Sequence, residues 1–276
     1  MRIDAHQHYW KIERGDYSWI TPDLPILYRD YLPKDLEPML NRHHIDGSIV
    51  VQAAPAIEET NFILSLADQT PSILGVVGWL DLLQKEHRQH FEKFRLHPKF
   101  KGFRVMIQDM PDPTLILSEK FVDALRSYAD EGVPVDLLLR HEQMDLVLKL
   151  IQQMPELRGV IDHISKPPIL SREMEPWSLY LAEISTYPNI YCKLSGMVTE
   201  NGREGWSLED FVPYIRKTLE LFGPNRVLFG SDWPVCLLAA EYDQVMEILL
   251  HAIPENWGEQ EHSRLFGLNA REFYKL

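Results

Sequence analysis

Two histidines stand two residues apart near the start of the chain, in Ile3-Asp4-Ala5-His6-Gln7-His8. Alternate side chains of a strand share a face, so His6 and His8 are expected side by side at the C-terminal end of a first strand. Paired imidazoles suit a divalent metal, or two hydrogen bonds to one substrate oxygen; a chance pairing without chemistry is the alternative. Further candidates stand where other apolar runs stop at a polar residue. His163 follows Gly159-Val160-Ile161-Asp162, with Asp162 expected to face away from it. Asp232 ends Val227-Leu228-Phe229-Gly230-Ser231, and Trp233 and Pro234 follow it. A carboxylate there is poorly solvated unless paired, which favours a site role over a helix N-cap. Gln52, Trp79, Arg104 and Lys193 close four more runs. Arg104 offers a planar fork for a carboxylate or hydroxyls, or a structural ion pair. Lys193 is an inward charge if its strand register holds. His141 lies two residues beyond its run, and the remaining histidines read as solvated.

The elements that must position these residues are regular. Eight short apolar runs, at 2–7, 47–53, 73–80, 101–107, 133–139, 158–163, 189–194 and 226–231, alternate with amphipathic segments. Several are continuously apolar or β-branched, as in Ser48-Ile49-Val50-Val51, which suits strands buried on both faces. Helical spacing marks 58–69, 120–131, 144–153, 210–222 and 242–250. Turn signals such as Glu131-Gly132-Val133-Pro134 precede strands and therefore belong to the opposite face from the polar strand ends. The expected fold is α/β, a (β/α)8 TIM barrel in one domain over 1–276, with the doubly wound sheet as the alternative. In a barrel the strand ends converge on one rim, which brings His6, His8, His163 and Asp232 together. Residues 9–40, rich in aromatics and proline, are read as a long first loop over that rim, a natural lid. Trp10, Trp19, Trp79 and Trp233 lie at or beyond strand ends, where they could offer aromatic faces to a ligand or simply pack under the loops.

Composition narrows the classes. A net charge of −13 over 276 residues, without a basic cluster, argues against nucleic acid or an anionic membrane as partner. Cys192 and Cys236 are far apart and read as two reduced, inert thiols. With no apolar run near ~20 residues and no leader pattern, a cytoplasmic location is expected.

Several strings carry a resemblance: Ile3 to Trp10, Arg29-Asp30-Tyr31-Leu32-Pro33, Val51-Gln52-Ala53, Gly75 to Leu82, Lys101-Gly102-Phe103-Arg104, Val160-Ile161-Asp162-His163, Cys192 to Gly196, Gly230 to Cys236 and Phe266 to Ala270. In that order, over nearly the whole chain, the sequence resembles the amidohydrolase superfamily, in the branch of sugar-acid lactonases and pyrone-dicarboxylate lactonases. The resemblance implies a barrel hydrolase with His6, His8, His163 and Asp232 at its centre. It departs from two-metal members: Arg104 stands where a bridging lysine would end strand four, and no histidine closes strand five. One divalent metal at most is therefore expected on those four residues, Zn2+ first, with none strictly required.

The expected activity is hydrolysis of a sugar-acid lactone, with Asp232 as base and His6, His8 and His163 on the developing oxyanion. Gln52, Trp79, Arg104, Lys193, Trp19 and Trp233 are the expected substrate-binding residues. Only Arg104 is well placed to pair a carboxylate, so a neutral sugar lactone is favoured over a pyrone dicarboxylate. A metal-dependent decarboxylase and a non-catalytic sugar-acid binder are the alternatives, and an oligomer is compatible with the reading.

Overall fold

A computed structural model describes residues 1–202 and 205–276. Eight parallel strands follow one another in a single sheet: β1 (Ile3–Gln7), β2 (Gly47–Val51), β3 (Ile73–Trp79), β4 (Phe100–Met106), β5 (Val135–Leu138), β6 (Gly159–Ile161), β7 (Ile190–Leu194) and β8 (Val227–Phe229). Beyond β8, Asp232 N donates to His6 O and His8 N to Trp233 O, each at 2.8 Å, so the eighth strand's extension meets the first. The fold is a (β/α)8 barrel. Its crossover helices are α1 (Pro33–Arg42), α2 (Ile57–Gln69), α3 (His87–Phe94), α4 (Glu119–Asp130), α5 (Met144–Gln153), α6 (Trp177–Ser185) and α7 (Leu208–Phe222), with α8 (Tyr242–Ala252), α9 (Glu259–Ser263) and α10 (Asn269–Tyr274) after β8.

Local chemistry explains these boundaries. Ser118 caps α4 by accepting from Phe121 N, and Phe121, Leu125, Tyr128 and Ala129 turn inward at helical spacing. At α7, Ser207 N donates to Asp210 Oδ2 at 2.8 Å, and Gly223 ends the helix at a φ of 64°, which glycine adopts without strain. Inside the barrel, Ile3, Ala5, Ile49, Val51, Val77, Val160 and Leu228 form one apolar cluster with Phe273 and Tyr274 of α10. The chain's last helix therefore closes the bottom of the barrel.

Helices α1, α6, α9 and α10 lie where the sequence reading placed none, while α3 falls in the charged helical stretch of His87 and His90. Helix α1 is mostly polar and buries only two apolar side chains. The first loop accordingly ends at Leu32, because Pro33 starts α1 where its missing N–H costs nothing. What is left of that loop is pinned. Trp10 and Tyr31 exchange both backbone hydrogen bonds, at 2.9 and 3.0 Å. Trp10 Nε1 donates to Arg29 O at 2.9 Å, and Trp19 Nε1 to Ala53 O at 2.8 Å. Cys192 and Cys236 are both buried and free. No helix among the described residues is long and apolar enough to cross a membrane.

Candidate active site

Strict alternation along β1 would point His6 away from the barrel axis, since Ala5 already faces it. A bulge removes the conflict. Asp4 pairs with Ser48 and Gln7 with Val50, so three steps on β1 match two on β2. Gln7 then turns outward to Ser48 Oγ at 2.9 Å, and His6 and His8 turn inward together. Asp4, on the outer side, receives Ser231 N at 2.9 Å and Tyr242 Oη at 3.1 Å and so ties β1 to the segment carrying Asp232.

His163 reaches the axis by another route. On β6 it is Asp162, two residues after the inward Val160, that keeps inward parity. Residues His163, Ile164, Ser165 and Lys166 then all adopt positive φ, between 45° and 61°. Each non-glycine residue there costs roughly 1–2 kcal/mol; the turn persists because its surroundings hold it, including the Trp177 indole N–H on Ile164 O at 2.7 Å. It swings His163 over Asp162, so both face the centre. A Cβ at Gly196 would collide with the His163 ring, and one at Gly230 with His6 Cβ, so both approaches require glycine. Asp162 was expected to face away. The correction follows from reading His163 as still on the strand.

Three imidazole nitrogens converge on one carboxylate oxygen. His8 Nε2 lies 3.2 Å, His6 Nε2 3.7 Å and His163 Nε2 3.9 Å from Asp232 Oδ1. All four side chains are buried. Burial lowers the His163 ring to about 4 and the His6 ring well below the ordinary imidazole range. Burial also opposes ionisation of Asp232, yet His163, the contact with His8, and His6 outweigh it and hold the carboxyl well below the ordinary range. The outer nitrogens define the rings. Ser195 Oγ is 2.9 Å from His163 Nδ1. His8 Nδ1 donates to Val51 O at 2.7 Å, so a neutral His8 presents only a lone pair to Asp232. Two lone pairs 3.2 Å apart need a positive centre between them, a proton or a cation. His6 Nε2 is buried without a hydrogen-bond partner. Ligand atoms of His6, His8 and Asp232 lie within 4.8 Å of one another, as do those of His6, Asp162 and His163. The cluster fits a divalent metal.

Below this ring lies a second layer that the sequence reading missed or misplaced. Lys193, fully buried, pairs with Asp136 and lies 3.1 Å from Asp162 Oδ1 and 3.2 Å from His6 Nδ1. Arg104 Nη1 donates to Asp162 Oδ2 at 3.3 Å, and its Nη2 donates to the backbone oxygen of Gln52. Burial opposes ionisation of Asp162, but Lys193, His6 and Arg104 keep its carboxyl well below the usual range. Lys193 is therefore no surface for substrate: its ammonium is consumed by the layer. Arg104 and Gln52 are likewise buried and engaged with each other. Trp233 is enclosed, edge-on to Tyr31 at 5.1 Å, and packs beneath the first loop. Trp19 keeps an exposed face. Trp79 lines a mostly apolar cavity of about 270 Å3 with Leu83, Met106 and Met110. A signal for the missed layer was present: Asp136 and Lys193 are charges inside otherwise apolar strands, of opposite sign.

A closed parallel barrel carries three histidines and an aspartate at its C-terminal rim, the face where such barrels place their sites. The chain belongs to the amidohydrolase family, whose model matches residues 3–276. It is 36% identical over 278 residues to an L-fucono-1,5-lactonase of Burkholderia ambifaria, covering 100% of this chain and 96% of that protein. An L-rhamnono-gamma-lactonase of Scheffersomyces stipitis is 27% identical over 75% of this chain and 67% of its own length. Among solved structures, an amidohydrolase from Burkholderia multivorans with bound zinc superposes with a TM-score of 0.93 at 34% identity, covering 100% of this chain and 99% of that one.

Proposed function

We propose that this chain is a lactonase that opens a sugar-acid lactone by adding water to the ester carbonyl. The observation that carries the reading is the convergence of three imidazoles on Asp232 at the rim, in a chain with full-length lactonase relatives. Asp232, kept ionised by its neighbours, takes a proton from the attacking water, a contribution of about 10²–10⁴-fold. The tetrahedral intermediate forms as the water oxygen bonds the carbonyl carbon. The bond from that carbon to the ring oxygen then breaks, and Asp232 returns its proton to the departing oxygen. With Ser195 donating to His163 Nδ1, the N–H of that ring sits on Nε2 and faces the developing oxyanion, a type of contact worth about 3–4 kcal/mol. Ser195 lies behind His163, on the far side from Asp232, so it orients the ring and is not the nucleophile.

His6, His8 and Asp232 are residues that would hold a divalent metal, zinc first by its taste for nitrogen and oxygen ligands. His163 joins them when its N–H moves to Nδ1 and onto Ser195 Oγ. When bound, the metal supplies polarisation of the carbonyl. Catalytic zinc usually keeps three protein ligands and an open position, so an Asp232 engaged by the metal would be lost as a base. The metal is thus an accessory to the reaction. Gln52 and Arg104 act by fixing the floor of the cup, and Trp19 and Trp79 are the aromatic faces offered to the ring. The chain functions as one unit over 1–276, on a small neutral ligand.

A six-membered lactone of a 6-deoxy sugar acid is the preferred substrate, as the L-fucono-1,5-lactonase relatives suggest. Proton release from a panel of aldono-1,5- and 1,4-lactones tests this. Turnover is expected to be fastest on L-fucono-1,5-lactone, and no turnover of any member would overturn the reading.

A further inference from the structure

We propose that Lys193 decides which nitrogen of His6 carries the proton, and thereby whether His6 serves as a hydrogen-bond donor or as a metal ligand. The inference rests on His6 belonging to the reactive cluster, but its test uses no lactone. His6 Nδ1 has two neighbours that make opposite demands. The Lys193 ammonium, at 3.2 Å, can only donate, so contact with it requires a lone pair on Nδ1 and leaves the single N–H of a neutral ring on Nε2. The Asp162 carboxylate, at 3.3 Å, can only accept, so contact with it requires N–H on Nδ1 and leaves a lone pair on Nε2. That second form alone can bind a divalent cation.

Lys193 is held where it tips this balance. Tyr274 Oη donates to Asp136 Oδ1 at 2.8 Å, which leaves Oδ2 to the Lys193 ammonium. Asp162 Oδ1, the atom nearest His6, is itself 3.1 Å from the same ammonium. The ammonium thus donates to His6 while it occupies the carboxylate that would reverse the ring. His8 is the contrast: its Nδ1 meets only a carbonyl, and its metal-facing nitrogen is fixed as a lone pair. The cluster therefore holds one ring permanently in the ligand form and one that must give up its contact with Lys193 to enter it. Metal binding and the Lys193–His6 hydrogen bond exclude each other, and the metal-free enzyme keeps a donor at Nε2.

The test is the tautomer of His6, read from two-bond proton–nitrogen correlations in chelator-treated protein labelled with 15N-histidine, with His6→Gln identifying the signal. The expected result is N–H on Nε2 without metal, and conversion to N–H on Nδ1 on titration with zinc chloride. Lys193→Met should show N–H on Nδ1 without metal and bind Zn2+ about ten- to a hundredfold more tightly than wild type. N–H on Nδ1 in the metal-free wild type, or a Lys193→Met variant with unchanged zinc affinity, overturns the proposal. Because the first spectrum is taken on unmodified protein, a variant that fails to fold leaves that measurement to decide. A protein inactive on every lactone yet showing the Nε2 tautomer would sink the lactonase reading and leave this one standing.

Discussion

Two layers of buried polar groups sit one above the other on the barrel axis, and they are satisfied to different degrees. In the lower layer, Asp136, Lys193, Asp162 and Arg104 answer one another with charge, and Tyr274 completes the set. In the upper ring, three imidazoles crowd a single carboxylate oxygen, and His6 Nε2 has no hydrogen-bond partner at all. Buried polar groups are ordinarily paired. The lower layer also leaves Arg104 Nε and Asp162 Oδ1 without a hydrogen-bond partner, but both groups are met by opposite charge. The upper ring instead sets a carboxylate oxygen against imidazole nitrogens alone. The lower layer is thus built to hold still and the upper to receive something. Unanswered charge marks that end of the barrel better than burial does, since both layers are buried.

The comparison breaks most sharply at Asp232. Asp232→Asn should lower kcat by about 10²–10⁴-fold while KM moves little. Chemical denaturation of the same variant should show only a small loss of stability, because the amide keeps the carboxylate's shape and its NH2 can donate to the His8 lone pair. Equal losses of kcat and stability would erase the distinction between the layers.

In the lower layer the balance reverses. Asp136→Leu strands the Lys193 ammonium and should cost about 3–5 kcal/mol in urea denaturation. The Asp136→Leu/Lys193→Met pair should recover most of that loss, since no charge is then left alone. A double variant no more stable than Asp136→Leu would show that the layer is held by something other than its charges.

Metal removal is expected to act more weakly. Chelated protein, shown by elemental analysis to be free of zinc, should keep most of its turnover, because in the proposed mechanism Asp232 and His163 supply the proton transfer and oxyanion contact themselves. Complete loss restored only by added Zn2+ or Mn2+ would make the metal part of the upper ring.

The smallest effect belongs to a buried carboxyl outside both layers. Glu59 accepts Ala53 N at 2.8 Å and Ala54 N at 3.1 Å at the end of β2. Burial lifts its carboxyl from 4.5 to about 8. The folded protein then binds one proton more than the unfolded chain across that interval, so the contribution of Glu59 is full below 4.5 and declines as pH rises through about 8. Glu59→Gln should flatten this decline in denaturation midpoints measured from about pH 5 to 8.5. An unchanged slope would assign the decline to other groups.

The strands were legible because runs such as Ser48-Ile49-Val50-Val51 are apolar throughout, and a buried strand needs no alternation to be seen. Their polar ends located the upper ring, since barrel geometry alone carries His6, His8, His163 and Asp232 to one rim. Parity was harder to read. The bulge in β1 and the left-handed turn at 163–166 each change which way a side chain points, and neither contains a glycine to announce it. The inward Asp162 was lost for that reason. Lys193 and Arg104 were noticed but given to the substrate, because a lone sequence does not show that their partners wait on β5 and β6. Helix α1 escaped because it buries so little of itself.

The hydroxyl of Tyr274 on Asp136 has a consequence for how the protein comes into being. Synthesis delivers His6 and His8 first, then Asp136, then Asp232, and Tyr274 after them. A nascent chain still short of α10 carries every strand of the barrel but leaves Asp136, and through it Lys193, without its third support. Maturation of the reactive centre thus waits on a helix made after all eight strands, on the opposite face of the barrel from the chemistry.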